Sequence, residues 1–452
     1  MNPSIFKAYD IRGVYPEEIN KEDAFKIGFA TVKFLQAAGS LKKKLSIVVG
    51  EDARNSSPTL RGAVVDAVTK AGADVYYIGQ CTTPLFYFSV NKLKADGGIM
   101  VTASHNPPRY GGMKIVGVES SPIGVESGLK EIEKWSQENL ESAKELGKIE
   151  EANLVSDYIN FVIKKSGINH DAAKLKIVVD AGNGMTPIVL KPLFDKLGFA
   201  YLPLYFEIDC NFPNHSPDIS KPEALTVLKK NVIEQKADLG IAFDGDGDRI
   251  FFLDEKGDTI KAEYILALLF KHSGSFLRKP KAVYDIRISR AVKELLGPKG
   301  IRSRPGHSFI KQVMRINNVD LGGELSGHFF FSEMNYAESS MLAMLKIMRI
   351  ISKAGKQISE IIGPFQKYWH SGEINIEIRD RELIARVFRR LKEKYKDGKL
   401  DELDGVTAEY PDWWFNVRAS NTESILRLVV EADTKALMEE KVEEVGNIIT
   451  QK

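Results

Sequence analysis

Two cysteines in 452 residues, Cys81 and Cys210, exclude a disulfide scaffold, and their spacing fits neither a zinc site nor a redox pair. A reducing, cytoplasmic setting is therefore expected. Long apolar runs are missing as well: YILALLF is among the longest, far short of the roughly 18 residues that span a membrane. The stretch MNPSIFKAYDIRG carries charge and glycine where a secretion leader needs an apolar core. Neither sign of charge is in excess, with 63 Lys+Arg against 61 Asp+Glu, so attraction to nucleic acid or an anionic membrane is not expected. Low-complexity segments are also absent. What remains, at 43% hydrophobic and 27% charged residues, is the make-up of folded globular domains. The length calls for three or four of them at about 100–150 residues each.

Three segments echo one another. Ala95-Asp96-Gly97-Gly98 runs into IMVTASHNP, Ala237-Asp238-Leu239-Gly240 into IAFDGDGDR, and Val319-Asp320-Leu321-Gly322 into GELSGHFFF. A second echo precedes each: KLSIVVGEDARNSSP, KLKIVVDAGNGMTP and KAVYDIRISRAV are β-branched runs ending in polar turns. Helical patterns such as TLRGAVVDAVTKAGA follow, then further short strands such as DVYYIG and AYLPLYF. Alternating strands and helices indicate α/β units. The polar loops fall at the carboxyl ends of strands, where α/β sheets bind ligands. The expected division is 1–150, 151–254, 255–367 and 368–452. A charged, helix-prone stretch from Gly128 to Ile163 bridges the first two units, a turn at Asp254-Glu255-Lys256-Gly257 separates the second from the third, and Gly363-Pro364 marks the exit from the third. From about His370 the rhythm changes to EINIEI, a charged helix, WWFNVRAS, SILRLVVEA and a final helix, which reads as a smaller α+β unit. The expected fold is thus three similar α/β domains with mixed sheets plus a smaller C-terminal α+β domain, arranged around a central cleft.

Chemistry concentrates in the loops. Thr102-Ala103-Ser104-His105-Asn106-Pro107 follows the apolar strand GGIMV, and Pro107-Pro108 holds it as a loop. A serine displayed this way suits a nucleophile. A Ser-His hydrolase is disfavoured, because Gly-x-Ser-x-Gly is missing and an adjacent histidine is not expected to reach its neighbour's hydroxyl. Asp244-Gly245-Asp246-Gly247-Asp248-Arg249 is the sharpest signal: three carboxylates in so short a loop repel one another unless a cation holds them. Oxygen ligands without Cys or His suit Mg²⁺ or Ca²⁺. An EF-hand is disfavoured even with Glu255 at its twelfth position, since Arg249 stands where that loop needs glycine and ADLGIAF reads as strand. Three aspartates leave Mg²⁺ short of its usual six oxygens, and a phosphate oxygen is the natural completion. Glu324, Ser326 and His328 in a glycine-rich loop suit vicinal sugar hydroxyls, and Arg418-Ala419-Ser420-Asn421-Thr422 gathers the donors a phosphate dianion needs. Arg12, Lys114, Arg287 and Gly306-His307 lie near these loops in the sequence pattern and are weaker candidates.

Taken together, TASHNP, DGDGDR, GE-x-SGH and RASNTE resemble the α-D-phosphohexomutase superfamily, specifically its phosphomannomutase/phosphoglucomutase branch, over the whole chain. The resemblance implies reversible transfer of phosphate between C1 and C6 of a hexose, through a phosphoserine at Ser104 and a hexose 1,6-bisphosphate that also serves as activator. It implies one Mg²⁺ held by Asp244, Asp246, Asp248 and the phosphate on Ser104. Glu324 and Ser326 are expected on the sugar, and Arg418, Ser420, Asn421 and Thr422 on the non-reacting phosphate. Lys114 and His328 are the acid/base candidates; Tyr9, Arg12, His105, Arg249, Arg287 and His307 line the site. Expected partners are small hexose phosphates, with no nucleic acid or membrane, in a monomer or homodimer. Ser424 replaces a frequent proline, Gly111 a frequent asparagine, and Arg287 the lysine of some relatives; these touch substrate preference alone. Phosphoglucosamine mutase, a non-catalytic sugar-phosphate binder and a metal-dependent phosphatase are the rival readings.

Overall fold

The computed structural model describes residues 1–39, 44–275, 280–378, 381–420 and 425–451. Its first three sheets share one wiring. Ser46–Glu51 lies parallel between Asp74–Gln80 and Gly97–Val101, and Tyr110–Gly117 returns antiparallel beside Gly97–Val101. Ile177–Asp180 sits likewise between Tyr201–Leu204 and Leu239–Phe243, with Ile250–Leu253 returning. In the third, Ala282–Asp285 lies between Gly300–Ser303 and Leu321–Gly323, with Phe329–Phe331 returning. The sequence echoes mark the same station each time, the last parallel strand and the loop after it. Helices cover the crossovers: Ser57–Lys70, Pro187–Leu197 and Arg290–Leu296 after the first strand of each unit, and Thr83–Lys92, Thr226–Gln235 and His307–Asn317 after the second. Because helices lie against these sheets, the strands Gly97–Val101, Ile177–Asp180, Leu239–Phe243 and Ala282–Asp285 are buried throughout, and their runs are continuous in apolar character rather than alternating.

The fourth unit is antiparallel. Ile425–Ala432 pairs with Trp413–Ala419 on one side and with Trp369–His370 and Ile374–Glu377 on the other, and Val406–Glu409 and Lys399–Asp401 extend the sheet. Helices Arg381–Lys394 and Lys435–Thr450 belong to it. Its core, built on residues such as Leu391, Phe415, Leu428 and Val445, is separate. The first three units instead share a continuous core, to which Phe86, Tyr158, Leu190, Leu266 and Leu345 contribute from different units. Apolar burial at about 25 cal/mol per Å² holds these three as one block. Among the described residues no helix is long and apolar enough to cross a membrane.

Two junctions differ from the sequence pattern. The charged stretch from Gly128 to Ile163 is helical only at its two ends, in the short α-helix Lys130–Trp135 and from Val155 into the helix Val155–Ser166. Between them the backbone is tied to the first unit: Ala143 N donates to Lys70 O, Gly147 N to Thr69 O, and Lys148 N to Asp74 Oδ1 at 2.7–2.8 Å. The strand Ile149–Glu151 then joins the edge of the first sheet, across the expected 150/151 division. The turn at Asp254 closes a hairpin: Asp254 Oδ1 accepts from the Lys256 and Asp258 amides at 3.0 and 2.9 Å, and Thr259–Ile260 pairs with Ile250–Leu253. The second sheet thus runs on past residue 254.

Candidate active site

One cleft of about 620 Å³ receives residues from all four units, among them Arg12, His105, Arg249, His307, Glu324 and Arg418. A larger hollow of about 790 Å³ opens beside it between Lys7 and Arg304 and takes in none of the four motif loops.

The serine loop is built by an arginine that sequence reading passed over. Arg54 is buried; its Nε donates to Asp52 Oδ2 at 3.1 Å, Nη2 to the carbonyls of Ser104 and Asn106 at 2.7 and 2.6 Å, and Nη1 to those of Pro107 and Tyr110 at 2.8 and 3.2 Å. Thr102 Oγ1 donates to Asp52 Oδ2 at 2.7 Å and accepts from the Ser104 amide at 2.9 Å. Ser104 is held at φ 52°, in the left-handed region, and is buried. That turn brings its Oγ to 3.2 Å from His105 Nδ1, so the adjacent histidine does reach the hydroxyl, contrary to expectation. Burial, with Arg249 and Arg12 nearby, holds the His105 pKa well below its ordinary value, leaving a neutral ring. Asp10-x-Arg12, Asp52-x-Arg54 and Asp285-x-Arg287 each pair carboxylate with guanidinium two residues on, and this recurrence was the available signal for Arg54. Arg54→Met leaves Asp52 unpaired and four carbonyls without their donor. The first unfolding transition in urea is expected to lose about 3–5 kcal/mol, and Arg54→Lys, which cannot fork across the loop, is expected to restore little of it.

The aspartate loop lies against the serine loop. A Cβ at Gly245 would stand 2.8 Å from the Ser104 carbonyl oxygen, and one at Gly247 (φ +73°) 2.6 Å from Thr186. Only glycine allows that approach. Asp244, Asp246 and Asp248 are buried, and one carboxylate oxygen from each lies within 4.8 Å of the others. Asp244 Oδ2 and Asp246 Oδ1 are buried without a hydrogen-bond partner. Burial first, then Asp248 and Asp246, raises the Asp244 pKa well above its ordinary value. Burial also opposes ionisation of Asp248, but Lys114 and His328 hold its pKa well below the carboxylate range. Orphaned, clustered hard oxygens are what a divalent cation fits. Glu255 takes no part; it accepts from Ser359 Oγ at 2.5 Å.

Around this cluster stand the acid/base candidates. Lys114 Nζ donates to Asp246 Oδ2 at 2.7 Å and to Asp248 Oδ2, and Thr83 Oγ1 donates to Asp246 Oδ2 at 2.6 Å. Burial disfavours the Lys114 ammonium, yet the two carboxylates outweigh it and raise its pKa. His328 bridges two loops, with Nε2 3.2 Å from Asp248 Oδ1 and Nδ1 2.9 Å from Glu324 Oε2. Burial lowers its pKa, but these partners lift it to about 9, making it an imidazolium at neutral pH. Ser326 Oγ sits 3.1 Å from Glu324 Oε2 and 2.9 Å from His328 Nδ1, and Glu324 Oε1 accepts from the Gly306 amide at 2.5 Å. Arg249 Nε lies 3.8 Å from Asp244 Oδ2.

The outer residues also converge. Arg12 binds Asp10 and, through Nη1, Asn106 Oδ1 at 2.5 Å. Tyr9 Oη donates to Pro305 O at 3.1 Å, and its ring meets His307 edge-on at 5.4 Å. Burial, with Lys311 and Lys114 near, keeps His307 neutral. Beneath it Lys311 Nζ pairs with Glu338 at 2.5 Å, both fully buried, another pair the sequence did not reveal. Arg287, Arg418 and Ser420 line the cleft, joined by Arg427, which sequence reading omitted. Asn421 and Thr422 lie outside the described residues.

Three α/β units of one wiring and an antiparallel fourth, with their loops in a common cleft, define the α-D-phosphohexomutase fold. Four family models, described as phosphoglucomutase/phosphomannomutase alpha/beta/alpha domains I, II and III and C-terminal domain, match residues 3–142, 156–257, 261–368 and 373–447. The chain belongs to the phosphoglucomutase/phosphomannomutase family. It is 38% identical to a phosphomannomutase of Methanocaldococcus jannaschii over 98% of this chain and 97% of that one. A crystal structure of a phosphoglucomutase/phosphomannomutase family protein from Burkholderia thailandensis superposes with TM-score 0.88 at 29% identity, covering 99% of this chain and 98% of that one. An Aspergillus fumigatus N-acetylphosphoglucosamine mutase solved with GlcNAc-6P and magnesium shares the fold, with TM-score 0.63 at 14% identity over 98% and 95% of the chains.

Proposed function

We propose that the protein is a phosphomannomutase/phosphoglucomutase that interconverts hexose 1- and 6-phosphates. The observation that carries this reading is the contact between the Ser104 loop and the buried Asp244/Asp246/Asp248 loop, with unpartnered carboxylate oxygens beside the serine. Ser104 Oγ holds a phosphoryl group. A hydroxyl of the bound hexose monophosphate attacks its phosphorus; the bond to Ser104 Oγ breaks, a bond to the sugar oxygen forms, and the hydroxyl proton passes to a neighbouring base. The resulting hexose 1,6-bisphosphate turns over in the cleft, and its other phosphoryl group returns to Ser104 by the reverse displacement. The three aspartates hold Mg²⁺, which when bound supplies charge neutralisation on the transferring group, the chief requirement of phosphoryl transfer.

The chain's own residues supply the rest. Neutral His105, at 3.2 Å, accepts or returns a proton at Ser104 Oγ. His328, an imidazolium held by Asp248 and Glu324, serves as the acid, and Lys114 keeps Asp248 ionised. Glu324 and Ser326 orient the sugar hydroxyls, and Arg418 and Ser420 anchor the phosphate that stays in place. Arg12, Tyr9, Arg287 and His307 frame the turning intermediate. The test is conversion of mannose, glucose and glucosamine 1-phosphates with Mg²⁺ and a trace of hexose 1,6-bisphosphate. Mannose and glucose substrates are expected to convert at least tenfold faster than the amino sugar, one pocket contact's worth of discrimination. Release of free phosphate in place of isomerisation would mark a phosphatase.

A further inference from the structure

The phosphate end of the cleft already holds an anion of the chain's own. Glu373 Oε2 accepts from Arg287 Nη1 and from Arg418 Nη2, both at 2.8 Å, and Glu373 Oε1 lies 3.1 Å from Arg427 Nη1. Those arginines face the same cavity as Ser420 and Glu324. Burial opposes ionisation of Glu373, but Arg287 and Arg418 bring its pKa down to about 2. The carboxylate is aimed there by its backbone. It follows Gly372, whose φ of +72° turns the chain, and Ser371 is fixed on both sides, its N donating to Val430 O at 2.8 Å and its Oγ accepting from Val430 N at 2.9 Å. Arg287 comes from the third unit and Arg418 and Arg427 from the fourth, so one carboxylate ties the two units across a seam where, among the described residues, no shared apolar core forms.

Charge decides what this arrangement does. Asp285 neutralises Arg287 through hydrogen bonds at 2.9 and 2.8 Å, and Asp404 stands 4.0 Å from Arg418. Glu373 offers two oxygens and one negative charge to three guanidinium groups. A phosphate monoester dianion offers three oxygens and two charges in a geometry the forked donors match at least as well. The exchange therefore runs in favour of phosphate, and the carboxylate keeps three cations, the buried Arg287 and Arg418 and the half-buried Arg427, from facing one another when no phosphate is bound.

We propose that Glu373 is an internal occupant of the phosphate clamp: its carboxylate takes the place of the substrate's non-reacting phosphate, and substrate binds by displacing it. This rests on the clamp reading of Arg418 given above. Such an occupant tempers affinity, since a ligand whose site is open only part of the time binds more weakly by that fraction. It also fills the clamp behind a departing product.

Inorganic phosphate is the probe, titrated calorimetrically into the metal-free full-length protein. Glu373→Gln, which keeps the side-chain size and removes the charge, is expected to bind phosphate about five- to tenfold more tightly than the parent. Arg418→Met is expected to lose that binding in either background. Glu373→Asp, too short to reach all three arginines, is expected to fall between parent and Glu373→Gln, and it replaces the glutamine variant if that one does not fold. Unchanged or weaker phosphate binding in both Glu373 variants would overturn the proposal, making Glu373 a support for the arginines. Phosphate binding that survives Arg418→Met unchanged would overturn the clamp reading itself, a separate result.

Discussion

Replacing Ser104 by alanine is expected to lower conversion of hexose 1-phosphate to 6-phosphate by about four orders of magnitude or more. The size follows from the role. In the proposed mechanism the hydroxyl is the bonding partner of the group in transit, and the hydroxyl of nearby Thr102 is committed to Asp52 and to the Ser104 amide. Because Arg54 and Asp52 hold the loop through its backbone, the change leaves the loop's anchors in place. Binding of hexose phosphate is therefore expected to survive, with the loss confined to kcat. The chain should take up one phosphoryl group from hexose 1,6-bisphosphate by intact mass, and the alanine variant none. Activity retained in the variant would end the phosphoserine assignment.

Asp244→Asn separates the cation site from the fold. The amide keeps an oxygen for the Arg249 backbone N–H, which donates to Asp244 Oδ1 at 3.1 Å. It removes one of three clustered buried carboxylates and one hard oxygen of the proposed cation site. Turnover is expected to fall about a hundredfold or more, with loss of Mg²⁺ affinity by titration. The metal-free protein should nonetheless melt about 1–2 °C higher, since relief of about 1 kcal/mol is spread over the block of the first three units, larger than the 150–250 residues that such relief moves by roughly 2–4 °C. Magnesium should stabilise the parent and not the variant. A variant that melts lower than the metal-free parent would show that Asp244 is paired by the protein itself and is no cation ligand.

The site was legible where its chemistry is contiguous in the chain. Three aspartates with glycines between them, or a serine between strand and double proline, announce themselves because one loop carries the whole group of candidate residues. The repeated wiring was legible too, since each echo falls on a strand end and its loop. Arg54 and Glu373 are different. Arg54 had only the recurring Asp-x-Arg pairing to mark it, and Glu373 is a single charge in a polar segment; each gains its role chiefly from partners 45 or more residues away. The Lys311–Glu338 pair was invisible for the same reason. The turn at Asp254 shows a finer limit: a polar turn with glycine does not reveal that a short strand, Thr259–Ile260, follows it and carries the second sheet a few residues further. Between Trp135 and Val155 helical propensity was overridden by backbone bonds to the first unit.

The fourth unit's separate interior means that it meets its neighbours largely through hydrogen bonds and ion pairs, such as Arg290 to Asp433 and Arg302 to Asp401. A module attached in this manner can drift in sequence, or be exchanged between relatives, without disturbing the apparatus that moves the phosphoryl group. Grip on the substrate and chemistry upon it are thereby free to evolve on separate clocks.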